Sequence, residues 1–278
     1  DILAVVAPQQ LDEKSIFAID QFLMRGGTMV LATSPFTAQL NNGELRLQAR
    51  DSGLREWLAH NGLEVKETMV LDQQNARFPG PLKRQSGTHK FRDVQMLDYP
   101  YFIDLRPPGL ALDHAVTGNL PQVTMAWASP VSFEPDEDRR TTVLLKSSID
   151  SWLSDTMDIM PRVDDNGVSN FQPPAATGDK PDSAALTASR NLGVVVQGRF
   201  KSFFANRDMP LSTQQHNEGA GPRPLPAVTA LLQRSPESAR IVLYASNDFM
   251  SDQVLSSIVA ASGTQYLGPL ELFTNTLD

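Results

Sequence analysis

The sequence predicts an α/β fold with a mainly parallel sheet flanked by helices, interrupted by a β-rich insertion or second lobe. Residues 2–7 form a short continuous apolar run, which is typical of a strand covered on both faces. Residues 11–27 then have the period of an amphipathic helix, and residues 28–33 form a second apolar run. Strands that alternate with helices favour a parallel sheet, because each parallel connection needs a crossover.

The first helix has recognisable boundaries. Asp12 is a predicted N-cap, since its carboxylate can accept a hydrogen bond from a free N–H group of the first turn. Gly26 and Gly27 are expected to end the helix. The inward-facing stripe consists of Ile16, Ile19, Phe22 and Leu23.

The alternation continues to residue 72. Residues 52–62 predict a second helix that ends at Asn61 and Gly62, and residues 63–72 predict a third strand. Together with the first two strands, these segments would complete a strand-helix-strand-helix-strand unit.

The middle of the chain loses the helical period. Residues 80–150 contain three strand-like segments, at 99–105, 122–128 and 141–148, separated by prolines. We interpret 80–150 as a β-rich insertion or second lobe that pairs onto the same sheet.

Two polar segments and a final strand and helix complete the chain. Residues 160–190 and 206–226 are rich in Pro, Asp, Gly and Ser, and predict mobile loops. A strand is predicted at the start of 191–205, another at 239–246, and a last helix at 248–263. We therefore expect 1–278 to be a single α/β domain.

The composition excludes several classes of function. The 278 residues carry 32 acidic and 24 basic side chains, giving a net charge of −8. Binding to nucleic acid or to an anionic membrane surface is therefore not expected, because both need a basic face. The absence of cysteine excludes disulfides, thiolate metal ligands and cysteine nucleophiles.

Both ends of the sequence lie inside structured patterns. Asp1 leads directly into a strand pattern, and residues 270–278 are half apolar. No run of 18 apolar residues is present, so none of these segments predicts a transmembrane helix. We expect this domain to be excised from a longer membrane-anchored protein, with its anchors outside 1–278.

Six segments, taken in order, resemble one known family. The sequence FAIDQFLMRGGTMVLATSP is similar to the opening of the auxiliary extracytoplasmic component of gliding-motility-type ABC transport systems. The sequence IVLYASNDFMS resembles the Gly-Asp-Ser-Asp-Phe segment of that family, although Ser246 replaces its first carboxylate. The other similar segments are 52–72, 144–155, 194–205 and 270–278.

The resemblance implies a fold, a location and partners. The family has an α/β domain related to glutamine-amidotransferase-like, and so flavodoxin-like, sheets. The domain would lie on the periplasmic face of the inner membrane, held by transmembrane segments outside 1–278. Its partners would be ABC permease and ATPase subunits.

Asp72, Asn247 and Asp248 follow predicted strands, and are candidate ligand-binding residues. If the sheet is parallel, Asp72 and Asp248 lie at its carboxyl edge, where open α/β sheets bind ligands. Two carboxylates there could hold Mg²⁺ or act as acid and base. We prefer the alternative that Ser246, Asn247 or Asp248 caps the following helix and that Asp72 satisfies a turn.

Ser34, Arg199 and Ser202 are the other candidates. Ser34 leaves the second strand and is the nearest candidate for a nucleophile, but no Gly-x-Ser-x-Gly elbow is present. Residues 198–202 (GRFKS) could bind an anion through Arg199 and Ser202, although they lack phosphate-loop spacing. The alternative is an edge strand whose phenylalanines pack in the core.

No cofactor and no metal site is expected. None of the four histidines lies three or four residues from another, as a helical metal pair requires. We therefore predict a non-enzymatic extracytoplasmic domain of an ABC-type transport complex, acting by protein docking or by substrate or envelope interaction. The alternatives are a small-ligand or glycan-binding module at the strand carboxyl ends, and a hydrolase with a degenerate site.

Overall fold

The computed structural model describes residues 1–86, 89–164, 166–174, 187–207, 210 and 231–278. The strands are β1 (Ile2–Val6), β2 (Thr28–Ala32), β3 (Phe36–Asn41), β4 (Glu44–Ala49), β5 (Leu63–Val65), β6 (Met69–Leu71), β7 (Asn75–Ser86), β8 (His89–Leu105), β9 (Val123–Ala126), β10 (Val131–Phe133), β11 (Arg139–Lys146), β12 (Trp152–Ser154), β13 (Asn191–Gly198) and β14 (Arg240–Tyr244). The helices are α1 (Glu13–Met24), α2 (Arg55–His60), α3 (Asp252–Ser262) and α4 (Gly268–Leu277).

The central sheet is mixed. Its five strands lie in the order β1-β2-β14-β13-β11. β2 is parallel to both β1 and β14, whereas β13 is antiparallel to both β14 and β11. The parallel part is therefore confined to β1, β2 and β14.

The predicted mainly parallel, flavodoxin-like or glutamine-amidotransferase-like fold is wrong. Outside the central sheet, the described strands form small antiparallel sheets. These sheets are β3-β4, β5-β10, β6-β12 and β7-β8-β9.

The sequence pattern misleads after the second strand. A hairpin, β3-β4, follows β2 before the second helix begins, and α2 has only six residues. The predicted third strand is divided by Lys66, Glu67 and Thr68 into β5 and β6, which pair antiparallel with β10 and β12. The second helix therefore leads to a local antiparallel pairing and not to another strand of the central sheet.

The first predicted helix is confirmed. The α1 helix follows Asp12, whose carboxylate accepts a hydrogen bond from the Ser15 N–H at 2.9 Å. Of the three strands predicted within 80–150 to pair onto the same sheet, only β11 does so, whereas β8 and β9 belong to the β7-β8-β9 sheet. The predicted mobile loops, 160–190 and 206–226, lie partly and largely outside the described residues.

The core consists of three clusters separated by strands. Met29 and Leu31 of β2 pack with α1 and α2 on one face of the central sheet. Val30 and Ala32 point to the other face and pack with residues of β8, β9 and α4, such as Ile103. This alternation follows from the two-residue period of a strand.

The third cluster is rich in aromatic side chains and lies on the opposite face of β8 and β9. Its buried rings come from Phe78, Tyr99, Tyr101, Phe102, Trp127, Trp152 and Phe171. None of the helices in the described part of the chain has the length and apolarity needed to cross a membrane.

Candidate functional site

A cleft of about 830 Å³ opens at the carboxyl ends of β1 and β2. Its walls are the loop after β1, the loop after β2, the segment that joins β4 to α2, and the paired strands β5 and β10. The polar lining residues are Gln9, Gln10, Thr33, Ser34, Arg50, Asp51, Ser52, Arg55, Glu64, Glu67, Ser132 and Glu134. This volume is in the range of small-molecule binding sites.

Arg50 connects two of these walls. Its guanidinium donates hydrogen bonds to the carbonyl oxygens of Ala7, at 2.5 Å, and Pro8, at 3.1 Å. Its backbone N–H donates to the carbonyl oxygen of Pro35 at 2.7 Å. One half-buried side chain thus fixes the loop after β1 relative to the loop after β2.

The loop after β1 holds two residues in the left-handed region. Ala7 has φ 47° and Gln10 has φ 49°. Side chains other than glycine rarely adopt this conformation, which costs of order 1–3 kcal/mol per residue unless surrounding contacts impose it. Here the contacts are the Arg50 hydrogen bonds and two backbone bonds, from Gln10 N–H to Asp51 O and from Leu11 N–H to Ser52 O.

The cleft has an apolar and hydroxyl-bearing floor beneath a charged rim. Thr33, Ser34, Leu58 and Leu63 are buried at the floor, and the half-buried rings of Phe36 and Phe133 line it. The lining carries four carboxylates against two guanidinium groups. The lining therefore has a net negative charge, which disfavours an anionic ligand.

Two of the rim carboxylates, those of Glu64 and Glu67, have basic partners. The hydrogen bond that Lys66 donates to Glu64 holds the pKa of Glu64 below its ordinary value. The Ser132 hydroxyl donates to the same carboxylate at 3.2 Å. Arg55 pairs with Glu67, so the acid and base side chains of the rim are partly neutralised in pairs.

Three of the residues predicted from sequence meet at the edge of this cleft. The Asn247 side chain donates to the carbonyl oxygens of Ser34 and Phe36, each at 2.7 Å, and accepts from the Ser34 N–H at 3.3 Å. The Asp248 carboxylate accepts from the Thr37 hydroxyl at 2.9 Å and from the Ala38 N–H at 3.0 Å. Asn247 and Asp248 thus attach the β3-β4 hairpin to the end of β14.

The prediction that Ser246, Asn247 or Asp248 caps the helix expected at 248–263 is wrong. The α3 helix begins at Asp252, and its N-cap is Ser251, whose hydroxyl accepts from the Val254 N–H at 3.4 Å. Ser246 instead accepts from the N–H groups of Asp248 and Phe249 in a preceding turn. The cap is displaced because this extra turn separates β14 from α3.

Burial raises the pKa of Asp248. The hydrogen bonds from Ala38 and Thr37, and the charge of Arg50, oppose this effect but do not cancel it. The loss of hydration on burial therefore outweighs these favourable contacts, and the pKa of Asp248 lies above its ordinary value.

Ser34 is a structural residue. Its hydroxyl accepts from the Phe36 N–H at 3.2 Å and lies 3.0 Å from the Ser129 hydroxyl. Neither partner is a base, and only 1% of Ser34 is exposed. The geometry gives Ser34 no activation as a nucleophile.

Asp72 lies apart from the other predicted residues. It follows β6, so it is not at the carboxyl edge of the central sheet. Its buried carboxylate accepts from the Ser148 N–H at 2.7 Å, the Ser148 hydroxyl at 2.6 Å and the Gln74 N–H at 2.9 Å. These bonds fix the segment after β11 to the segment after β6.

Arg199 and Ser202 also lie apart, after β13. Arg199 is exposed and pairs with Glu237 at 2.8 Å. The buried Ser202 hydroxyl donates to the Asp20 carboxylate at 2.6 Å. As the alternative interpretation of this segment expects, its aromatic side chains are buried in the core, namely those of Phe200, Phe203 and Phe204. The strand before them is internal, since β13 pairs with β11 on one side and with β14 on the other.

Sequence reasoning missed two polar residues that organise the structure. Asp20 is fully buried and accepts four hydrogen bonds, from Trp57 Nε1, the Phe203 N–H, Ser202 Oγ and Gln21 Nε2. Its position four residues after Ile16, within the apolar face of α1, is a signal that a carboxylate is buried there. Arg50 gives no such signal, because it lies in a segment without periodicity.

Across the part of the chain that the structure describes, no group of three or more His, Asp or Glu residues could hold a metal ion. The hydroxyl of Ser34 has no base among its hydrogen-bond partners, as an activated nucleophile would require. What the cleft offers is a binding surface with an apolar floor and hydrogen-bonding rim.

Comparison with known proteins gives one structural likeness and one family. The mmIFT52 N-terminal domain is similar with a TM-score of 0.44 and 8% identity, over 99% of this chain and 76% of that chain. No curated protein matches the sequence. A family model described as "ABC-type uncharacterized transport system" matches residues 1–276. Since the match spans almost the whole chain, this protein belongs to that family of auxiliary components of ABC-type transport systems.

Proposed function

We propose that this domain is a non-enzymatic binding component of an ABC-type transport complex, and that it takes a polar ligand into the cleft at the ends of β1 and β2. The observation that carries the proposal is the cleft itself, with a volume of about 830 Å³ and walls held by Arg50. Strained backbone is retained where surrounding structure imposes it, and such positions cluster at binding sites. Of the two left-handed residues, Gln10 lines this cleft and Ala7 lies in the same loop.

The lining favours a neutral or amine-bearing glycan as the ligand class. Half-buried Phe36 and Phe133 offer aromatic faces, on which sugar rings can pack, and the rim offers carboxylate and amide groups for hydroxyl donors. The excess of carboxylates disfavours acidic glycans and phosphorylated compounds. Family membership supports an extracytoplasmic location, where envelope glycans are accessible, with permease and ATPase subunits as partners.

A titration with neutral, amine-bearing and uronic-acid oligosaccharides tests this proposal, with calorimetry as the measurement. We expect neutral or amine-bearing oligosaccharides to bind and uronic-acid oligosaccharides to bind weakly or not at all. Ala59→Trp places a large ring in the cleft from the exposed face of α2, and should lower the affinity by about tenfold or more. Ala18→Trp makes the same change on the exposed face of α1, away from the lining residues, and should leave the affinity unchanged.

Two results would contradict the proposal. One is the absence of binding for every oligosaccharide class. The other is binding that Ala59→Trp and Ala18→Trp reduce equally, since this would place the ligand outside the cleft. Far-ultraviolet circular dichroism of both variants establishes that they remain folded.

A second candidate function is docking to a membrane partner through the C-terminal helices. Val259 of α3 and Leu267, Leu270 and Leu277 in or beside α4 are exposed apolar side chains, each more than a third accessible. Exposed apolar side chains on these two consecutive helices favour protein contact. This docking would not depend on the cleft, so Ala59→Trp would weaken glycan binding and leave the partner bound.

A further inference from the structure

β1 forms one edge of the central sheet. Among the described residues, only β2 pairs with it. An edge strand presents a row of unpaired N–H and C=O groups, which can pair with a strand of another molecule.

The hydrogen-bond ladder shows which groups of β1 are free. Thr28 N–H donates to Asp1 O, and Ala7 N–H donates to Ala32 O, so odd-numbered residues of this segment face β2. Backbone groups alternate in direction along a strand. The N–H and C=O groups of the even-numbered residues, Ile2, Ala4 and Val6, therefore point away from the sheet.

The side chains of this edge are apolar and partly uncovered. Ile2 is 43% exposed and Val6 is 45% exposed, and Ala4 between them is also exposed. Leu3 and Val5 face the opposite side and pack against the core beneath α1. Natural edge strands are usually protected by a charge, a proline or a bulge, and none of these occurs within Ile2–Val6.

We propose that β1 pairs antiparallel with β1 of a second copy of this chain, with the two-fold axis between the two Ala4 residues. In this register Ile2 lies opposite Val6 of the other copy, and Ala4 lies opposite Ala4. Each of the three residues would then donate one backbone N–H hydrogen bond to the residue opposite it and accept one at its C=O. The two central sheets would become one continuous sheet across the dimer.

The pattern of the strand favours a second copy as the occupant. The row Ile2, Ala4, Val6 has a small residue at its centre and a branched apolar residue at each end, so it is complementary to itself in reverse order. A closed two-fold contact uses the same surface twice, and no charged side chain within the strand would oppose its own copy. This interface is separate from ligand binding in the cleft and goes beyond the proposed function.

Disulfide cross-linking tests both the dimer and its register. The chain has no cysteine, so a single introduced cysteine is the only thiol. In the proposed register, Ala4→Cys places two Cα atoms about 5.5 Å apart, within the range that a disulfide spans. In Ile2→Cys the two cysteines would be about 13 Å apart, since four residues separate them along the strand.

We expect mild oxidation to cross-link Ala4→Cys into a dimer and to leave Ile2→Cys monomeric under denaturing electrophoresis. A mixture of Ile2→Cys and Val6→Cys should form a mixed disulfide, because these positions are opposite each other. Failure of Ala4→Cys to cross-link would overturn the proposal. Equal cross-linking of Ile2→Cys alone would overturn it too, because that result requires another register or parallel strands.

Sedimentation of the cysteine-free protein supplies an independent measurement. We expect a concentration-dependent dimer, weakened about tenfold or more by Ala4→Lys, which brings two like charges directly opposite each other. The matched control is Leu40→Lys on the exposed side of β3, which should leave the dimer unchanged. A wild-type protein that stays monomeric at all concentrations would overturn the proposal.

Discussion

Asp20, Asp72 and Asp248 show how individual carboxylates hold distant segments of this chain together. Asp20 connects α1 to α2 and to the segment after β13, and Asp72 connects the segments after β6 and β11. Asp248 attaches the β3-β4 hairpin. Each accepts hydrogen bonds from backbone or hydroxyl donors, which is how a buried carboxylate is made tolerable.

Asp248 predicts a specific dependence of stability on pH. Its pKa is raised in the folded protein, chiefly by burial, from an ordinary value of 3.8. Between 3.8 and the raised pKa, the folded state binds more protons at this residue than the unfolded state does. The contribution of Asp248 to the free energy of unfolding therefore falls as the pH rises through this window.

A comparison with Asp248→Asn isolates this contribution. The variant has no titrating group at this position, so the other carboxylates affect both proteins alike. Urea unfolding at several pH values should show the stability of the wild type, relative to the variant, falling as the pH rises from below 3.8 through the window. A relative stability that rises with pH would mean that the hydrogen bonds from Thr37 and Ala38 outweigh burial.

At the scale of elements, the start of α3 depends on Ser251. Its hydroxyl accepts from the Val254 N–H, which would otherwise lack a partner in the first turn. Ser251→Ala should lower the free energy of unfolding by about 0.5–2 kcal/mol, measured by urea denaturation.

The control for this change lies on the same helix. Ser256 is exposed in α3, away from the first turn, and Ser256→Ala should be neutral or slightly stabilising, since alanine has the higher helix propensity. If the two substitutions had equal effects, the Ser251 hydroxyl would not act as a cap.

The elements that the sequence predicted correctly are those with local signals. The Asp12 cap, the apolar stripe and Gly26 define α1 within one segment, and short apolar runs define β2 and β14. The pairing of strands depends instead on contacts between distant residues. Nothing near β13 shows that it lies antiparallel between β14 and β11, so the parallel sheet was a wrong inference from correct elements.

The same difference between local signals and distant contacts applies to the candidate site. Ser34, Asn247 and Asp248 were chosen as candidates because each follows a predicted strand, and the parallel neighbours β2 and β14 bring them together. Asp72 was misplaced because its strand pairs elsewhere. Arg50 was missed, because its role depends on the carbonyl groups of Ala7 and Pro8, which no sequence pattern connects to it.

At the scale of the whole molecule, neighbouring core clusters pack on opposite faces of the same strands. The central sheet separates the cluster beneath α1 from the cluster that contains Ile103 and Met125. Ile103 belongs to β8 and Met125 to β9, and these two strands also present Phe102 and Ala126 to the third, aromatic cluster. Loss of one cluster therefore exposes strands on which the neighbouring cluster also packs, which favours unfolding as one cooperative unit.

Tryptophan fluorescence can test this cooperativity. The chain has three tryptophans, and Trp57 lies in the cluster beneath α1, whereas Trp127 and Trp152 lie in the aromatic cluster. In a protein with Trp127→Phe and Trp152→Phe, Trp57 reports on its own cluster alone. Ile159 is fully buried in the aromatic cluster, so Ile159→Ala in that background should remove about 2–5 kcal/mol of stability.

If the layers unfold together, Ile159→Ala lowers the urea midpoint that Trp57 reports, although the two residues belong to different clusters. Leu40→Ala, at a position that is 51% exposed, should leave this midpoint nearly unchanged. A Trp57 midpoint that does not respond to Ile159→Ala, while circular dichroism shows an earlier loss of structure, would mean that the aromatic layer unfolds independently. The central sheet joins the first two clusters, and β8 and β9 join the second to the third, so we expect a single midpoint from both probes.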